Sequence, residues 1–287
     1  FDFFLHAKLM KYLKRYVHLA IASTVLTAIL CFASISPAQA EGLRNAMLRP
    51  GWLASDGSYY IALDLTLSKG WKTYWRAPGE YGYPPKIEYN GSTNLQKAEP
   101  IWPAPIVFGS ENMETIGYAE HLVLPIKLTP VDAAHPIKLE LSAQLGICLD
   151  ICVPIFLSLS QQLDPVQRSA DPATLLALEN QPVPRSQSNL QHLDCAFTPH
   201  EDAILITIGA AIPSLGARET LIIEYKQQNH WVMMEPTRRE GPLLQALGYL
   251  TDETGAAPLS ISRQKIQITV IGSLGAADLG DCTAQPK

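Results

Sequence analysis

Apolar residues recur at every second position in short runs along this chain, with proline and glycine between the runs. Tyr59–Leu67 alternates toward its end, and His121–Leu128 and Ile137–Leu145 do the same. A period of two is the mark of a half-buried strand, because successive side chains point to opposite faces. Short strands at this spacing predict an all-β sandwich, with Phe156–Leu159 as a last strand of the unit. A second strand-rich segment holds Ala203–Ile208, Thr220–Tyr225, Trp231–Met234 and Lys265–Ile271. Between the two lies a proline-marked linker, residues 164–192. It carries one short helix, Pro172–Glu179, signalled by Asp171 as a cap and proline at the first position.

The first 40 residues read as an export signal. Lys8, Lys11, Lys14 and Arg15 are a basic start, His18–Ser36 is apolar, and Ala38-Gln39-Ala40 is a small-x-small cleavage site. An uncleaved anchor is the rival reading, which Pro37 and the cleavage site disfavour. The expected organisation is a signal at 1–40, a β-sandwich at 41–163, the linker at 164–192 and a second β-rich domain at 193–287. Loss of the signal removes four of 22 basic and one of 27 acidic residues, leaving 18 − 26 = −8. That balance, without a basic patch, excludes nucleic acid as the expected partner.

Cys31 falls in the signal, so four cysteines remain: Cys148, Cys152, Cys195 and Cys282. An even number in an exported chain predicts two disulfides. Chain proximity favours 148–152, which leaves 195 with 282 as a structural staple around most of the second domain. The Cys148-Leu149-Asp150-Ile151-Cys152 spacing admits three readings. It is a redox-active dithiol that works through mixed disulfides, a structural brace across a turn, or part of a metal site. The first two stand near even on spacing alone, and the third is weak. The Met233-Met234 pair near His230 reads as one core and one surface side chain rather than as copper(I) ligands. No cofactor and no metal is expected.

Two further segments stand out. Gly70–Pro85 concentrates Trp71, Tyr74, Trp75, Tyr81 and Tyr83, either as core and turn residues or as an aromatic shield over the cysteines. Trp102–Glu114 is a proline- and glycine-rich loop carrying Phe108 and Met113, either a plain connector or a cover over a reactive site.

Taken together, Gly70–Glu80 with Pro84-Pro85, Trp102–Pro105, Ile116-Gly117-Tyr118 and Cys148–Pro154 resemble the periplasmic N-terminal domain of the DsbD family of thiol:disulfide interchange proteins, in its ScsB-like branch. The resemblance covers roughly residues 41–160, and the second domain is similar to the extra β-domain of that branch. It implies an immunoglobulin-like sandwich in the periplasm whose Cys148/Cys152 pair takes electrons from a membrane-embedded donor of the DsbD/ScsB type. Thioredoxin-like or other periplasmic thiol proteins would receive them, in settings such as cytochrome c biogenesis or copper tolerance. It also implies that Cys152 forms the mixed disulfides, that Cys148 resolves them, and that Phe108 and Met113 belong to a cap. The better-known members have a longer gap between their cysteines. They also carry a polytopic membrane domain and a terminal thioredoxin domain, so this chain is expected to depend on a separate partner. The rival function is a non-enzymatic binding module with two structural disulfides.

Overall fold

A computed structural model describes residues 42–110, 113–227, 229–257 and 260–283, and the expected signal segment lies outside the described residues. The first unit comprises β1 (Leu43–Leu48), β2 (Trp52–Leu53), β3 (Tyr59–Leu67), β4 (Lys72–Tyr74), β5 (Lys86–Glu88), β6 (Leu95–Pro100), β7 (Ile106–Phe108), β8 (Thr115–Ala119), β9 (His121–Pro130), β10 (Ile137–Cys148) and β11 (Cys152–Leu163). One sheet runs β1-β3-β9-β6 with β2 beside β3. The other runs β11-β10-β4-β8-β7 with β5 beside β10.

Alternation explains the packing between these sheets. Along β10, Ile137, Leu139, Leu141, Ala143, Leu145 and Ile147 are all buried against Ile61, Leu63 and Leu65 of β3 and Leu124, Ile126 and Leu128 of β9. Each of the leucine and isoleucine side chains contributes about 1.5–3 kcal/mol on burial. The result is an immunoglobulin-like β-sandwich.

The stretch after β11 is fastened onto this sandwich. Helix α1 (Pro172–Glu179) starts where Asp171 accepts a hydrogen bond from the Thr174 amide at 2.8 Å. The same carboxylate accepts Arg49 Nε at 2.7 Å and Nη2 at 3.0 Å, while Arg49 Nη1 reaches Asp64 at 2.7 Å. The Arg49 guanidinium, with the Thr174 donors, holds the Asp171 carboxyl down at about 2. Leu53 N donates to Gln167 O at 2.8 Å, a further tie to the sandwich.

The second unit comprises β12 (Val183–Pro184), β13 (His192–His200), β14 (Ala203–Ala211), β15 (Thr220–Tyr225), β16 (His230–Met234), β17 (Arg238–Glu240), β18 (Leu243–Asp252), β19 (Ile266–Gly272) and β20 (Gly275–Gly280). Its sheets run β13-β14-β18-β16, with β17 beside β18, and β12-β20-β19-β15. Ile206, Ile208, Leu221, Ile223, Leu250, Ile268 and Val270 fill the space between them. Cys195 on β13 is bonded to Cys282 beyond β20, with Cα atoms 5.9 Å apart, so the bridge ties one sheet to the other.

Strand β19 is buried at every position. Ile268 and Val270 face the second core, whereas Ile271 joins Ile222 and Ala276 in the core of the first unit. The β12-β20-β19-β15 sheet is therefore covered on both faces. The strand nonetheless alternates in sequence, Ile266-Gln267-Ile268-Thr269-Val270, and its polar members Gln267 and Thr269 are buried as well. Among the described residues, no helix is long and apolar enough to cross a membrane.

Candidate functional site

β10 and β11 pair without a break from Ile137↔Leu163 to Cys148↔Cys152, so the longest ladder of the first unit ends at the two cysteines. They are joined as a disulfide across the hairpin tip, with Cα atoms 4.2 Å apart. Three residues, Leu149, Asp150 and Ile151, make the turn. The odd-numbered residues of β10 point into the core, so Gln144, Gly146 and Cys148 lie on the outer face of the sheet. Register extends the row: Cys152 stands beside Cys148, Cys148 beside Lys72, and Lys72 beside Ala119.

An outward position ordinarily means exposure, yet Cys148 is 2% and Tyr74 3% exposed. The cover comes from the chain after β4, which folds back over this face. A side chain at Gly146 would put its Cβ 2.6 Å from the Cβ of Tyr83 and 3.1 Å from the ring of Tyr74. Glycine is what lets both aromatics lie against the strand. The Tyr83 hydroxyl also meets the Gln144 amide. Cys152 stays exposed, as do Leu149 (48%) and Ile151 (77%) of the turn before it. Cys148 is thus buried while Cys152 stands exposed at the surface.

The Tyr74 hydroxyl lies 2.9 Å from Sγ of Cys148 and 3.0 Å from Sγ of Cys152. Neither sulfur of a disulfide carries hydrogen, so the tyrosine donates. Burial pushes the Tyr74 pKa up, which keeps that proton in place at neutral pH. Thr73, on the inner side of β4, donates to Gly146 O at 3.0 Å and holds the two strands together next to the site.

Phe108, at the end of β7, is half-buried, and its ring centroid is 5.2 Å from Lys72 Nζ. The phenylalanine thus reaches the cysteine row through the lysine beside Cys148. Met113 is 59% exposed. The Gly70–Pro85 aromatics divide between the two roles expected of them. Trp71 and Trp75 belong to the core, Tyr74 and Tyr83 cover the disulfide end of the hairpin, and Tyr81 is 55% exposed. Met234 packs on the second core while its neighbour Met233 is 53% exposed. Among the described residues no cluster of three or more His, Cys, Asp or Glu is placed to hold a metal ion.

Sequence reasoning assigned no role to Gly146 or Lys72, and named Tyr74 only among the Gly70–Pro85 aromatics that form either core or shield. The signal that finds Gly146 is positional: a glycine two residues before Cys148 shares its face, and glycine inside a strand marks close approach by another group. Lys72 and Tyr74 become visible only when β4 is placed beside β10.

A family model described as thiol:disulfide interchange protein DsbD, N-terminal, matches residues 46–162. No curated protein matches the chain. Among solved structures, the N-terminal periplasmic domain of ScsB from Proteus mirabilis is similar, with a TM-score of 0.61 at 21% identity. The match covers 86% of this chain and 97% of that one, and shows that the fold is shared across both β units.

Proposed function

We propose, from the premise that residues 46–162 are a DsbD-type N-terminal domain, that the chain exchanges disulfides through Cys148 and Cys152 in the periplasm. Electrons come from a membrane-embedded thiol donor and leave to thioredoxin-like or other exported thiol proteins. The observation that carries this reading is the asymmetry of the pair: a sheltered Cys148, an open Cys152 and one tyrosine hydroxyl on both sulfurs.

The chemistry follows from that asymmetry. A donor thiolate attacks Sγ of Cys152 along the S–S axis. The new bond forms as the 148–152 bond breaks, and the electron pair departs with Sγ of Cys148 as a thiolate. Tyr74 is in place to donate to that leaving sulfur. A second donor thiolate then attacks the donor sulfur of the mixed disulfide and frees Cys152; the donor leaves as a disulfide, the pair has gained two electrons, and its sulfurs take up the protons shed when the donor thiols ionised. In the outward direction the Cys152 thiolate attacks a client disulfide and the client's second sulfur leaves. Cys148 then displaces the client from Cys152, which restores the 148–152 bond and releases a client dithiol.

Measuring the reduction potential of the 148–152 pair tests this. An exchange site equilibrates with glutathione in the range of about −180 to −270 mV, whereas a structural bridge lies below about −300 mV. The Cys148→Ala variant is expected to accumulate a mixed disulfide on Cys152 with oxidised glutathione. A potential below the exchange range together with no trapped adduct would leave the pair as a brace.

A further inference from the structure

The β7–β8 hairpin that carries Phe108 is gripped by the second unit on both sides of its turn. Arg218 donates from Nη2 to the carbonyl of Gly109, immediately after Phe108. On the returning side, Thr220 Oγ1 donates to Glu114 Oε2 at 2.9 Å, and Arg218 Nη2 stands 3.8 Å from Glu114 Oε1. Strand β7 itself packs against β19. Arg218 has φ 55°, in the left-handed region that non-glycine residues seldom occupy. Such a conformation persists where surrounding structure demands it. Here it accompanies a guanidinium aimed at the hairpin. Beside these contacts is a cleft of about 920 Å³, lined in part by Ser110, Glu114, Arg218 and Arg239, so the hairpin's end is held by polar contacts rather than by close packing.

We propose that the second β unit is an intramolecular clamp on the β7–β8 hairpin, and that the clamp sets how readily the 148–152 disulfide is reached. Arg218 and Thr220 hold Gly109 and Glu114, which fixes Phe108. The Phe108 ring rests beside Lys72, and Lys72 is the neighbour of Cys148 in the row that ends at Cys152. Loosening the clamp frees the ring to move off Lys72 and opens the approach to the bond from the sheltered Cys148 side, the Cys152 side being exposed already. Arg218, Thr220 and Glu114 are on this account positioning residues: they touch no reacting atom. The proposal rests on the exchange reading for its purpose. Its test uses a small thiol, so it succeeds or fails separately from the potential and trapping measurements.

The measurement is the rate at which glutathione reduces the 148–152 bond in the full chain, alongside the thermal midpoint. Arg218→Ala and Thr220→Val are each expected to raise the rate about fivefold, the shift that loss of one ordinary hydrogen bond produces. The charge reversals Arg218→Glu and Glu114→Arg should also accelerate reduction, and the double reversal should return it toward the starting rate. Glu224→Gln is the control. It weakens the ion pair in which Arg76 meets Glu224 at 2.9–3.0 Å, which joins β15 to the segment after β4 rather than to Gly109 or Glu114. It should lower the thermal midpoint without speeding reduction. If Arg218→Ala does not fold, Thr220→Val, which removes only a hydroxyl, decides. Unchanged rates in the clamp variants, or equal acceleration in Glu224→Gln, would overturn the proposal.

Discussion

Replacing Tyr74 with phenylalanine removes one oxygen from the site and leaves the ring on Gly146, so its effect can be worked out from two distances. The hydroxyl donates at 2.9 and 3.0 Å to the two sulfurs. While the disulfide is intact both acceptors are weak and neutral. Once Cys148 becomes a thiolate, the same donor faces a full charge. Hydrogen bonds to charged groups contribute about 1.5–3 kcal/mol, and sulfur places this one near the lower limit. About 1.4 kcal/mol is a factor of ten in thiolate population, so Tyr74→Phe should raise the Cys148 titration midpoint by about one pH unit. In the transition state the leaving sulfur carries about half of its final charge, so reduction by glutathione should slow about threefold. Stability should change by no more than about 1 kcal/mol, since the ring stays packed. Ultraviolet thiolate absorbance of the reduced protein against pH gives the first number, and a stopped-flow reduction experiment gives the second. An unchanged midpoint and an unchanged rate in a folded variant would show that the hydroxyl does not act on the leaving sulfur.

Three other perturbations separate the contributions of cover, staple and ion pair. Gly146→Ala places a methyl 2.6 Å from Tyr83. It should cost about 1–3 kcal/mol in urea denaturation, as overpacking does, and should hasten reduction of the 148–152 bond. The opposite rate change would contradict the covering role of Tyr83. Removing the 195–282 bridge by Cys195→Ser with Cys282→Ser opens a loop of sequence separation 87. The entropic model puts the loss of stability at about 4–5 kcal/mol, with the 148–152 potential unaltered; a displaced potential would tie the two bridges together. Asp171→Asn keeps a capping side chain but removes the charge facing Arg49. The carboxyl's folded pKa is depressed from 3.8 to about 2. Its contribution, about 2 kcal/mol, is therefore present above pH 4 and is lost as the pH falls toward 2. Denaturation should find the variant less stable at pH 7 and nearly equal to the unsubstituted protein at pH 2. A constant difference across that range would assign the effect to packing instead.

Local rules in the chain account for a good part of this architecture. Period-two alternation in β10 decides which residues form the core face, because the pleat sends Ile137, Leu139 and Leu141 one way and Gln144, Gly146 and Cys148 the other. Asp171 and Pro172 decide where α1 begins, since one supplies an acceptor for a free amide and the other has no amide to satisfy. A separation of four residues brings Cys148 and Cys152 within reach of one another whatever the rest of the chain does. Alternation assigns each face but carries no information about what comes to lie on it. That is why Cys148 and Tyr74, on the outer face, are buried only once the 76–85 segment folds back and Tyr83 meets Gly146. It is also why β19 is covered on both sides, by contacts from residues far away in the chain. The sequence by itself determined the strands, their inward faces and the cysteine pair's closeness. Tertiary structure alone decided which sulfur is sheltered, which hydroxyl serves it and that the second unit holds the Phe108 hairpin, because each depends on long-range packing that no local pattern encodes.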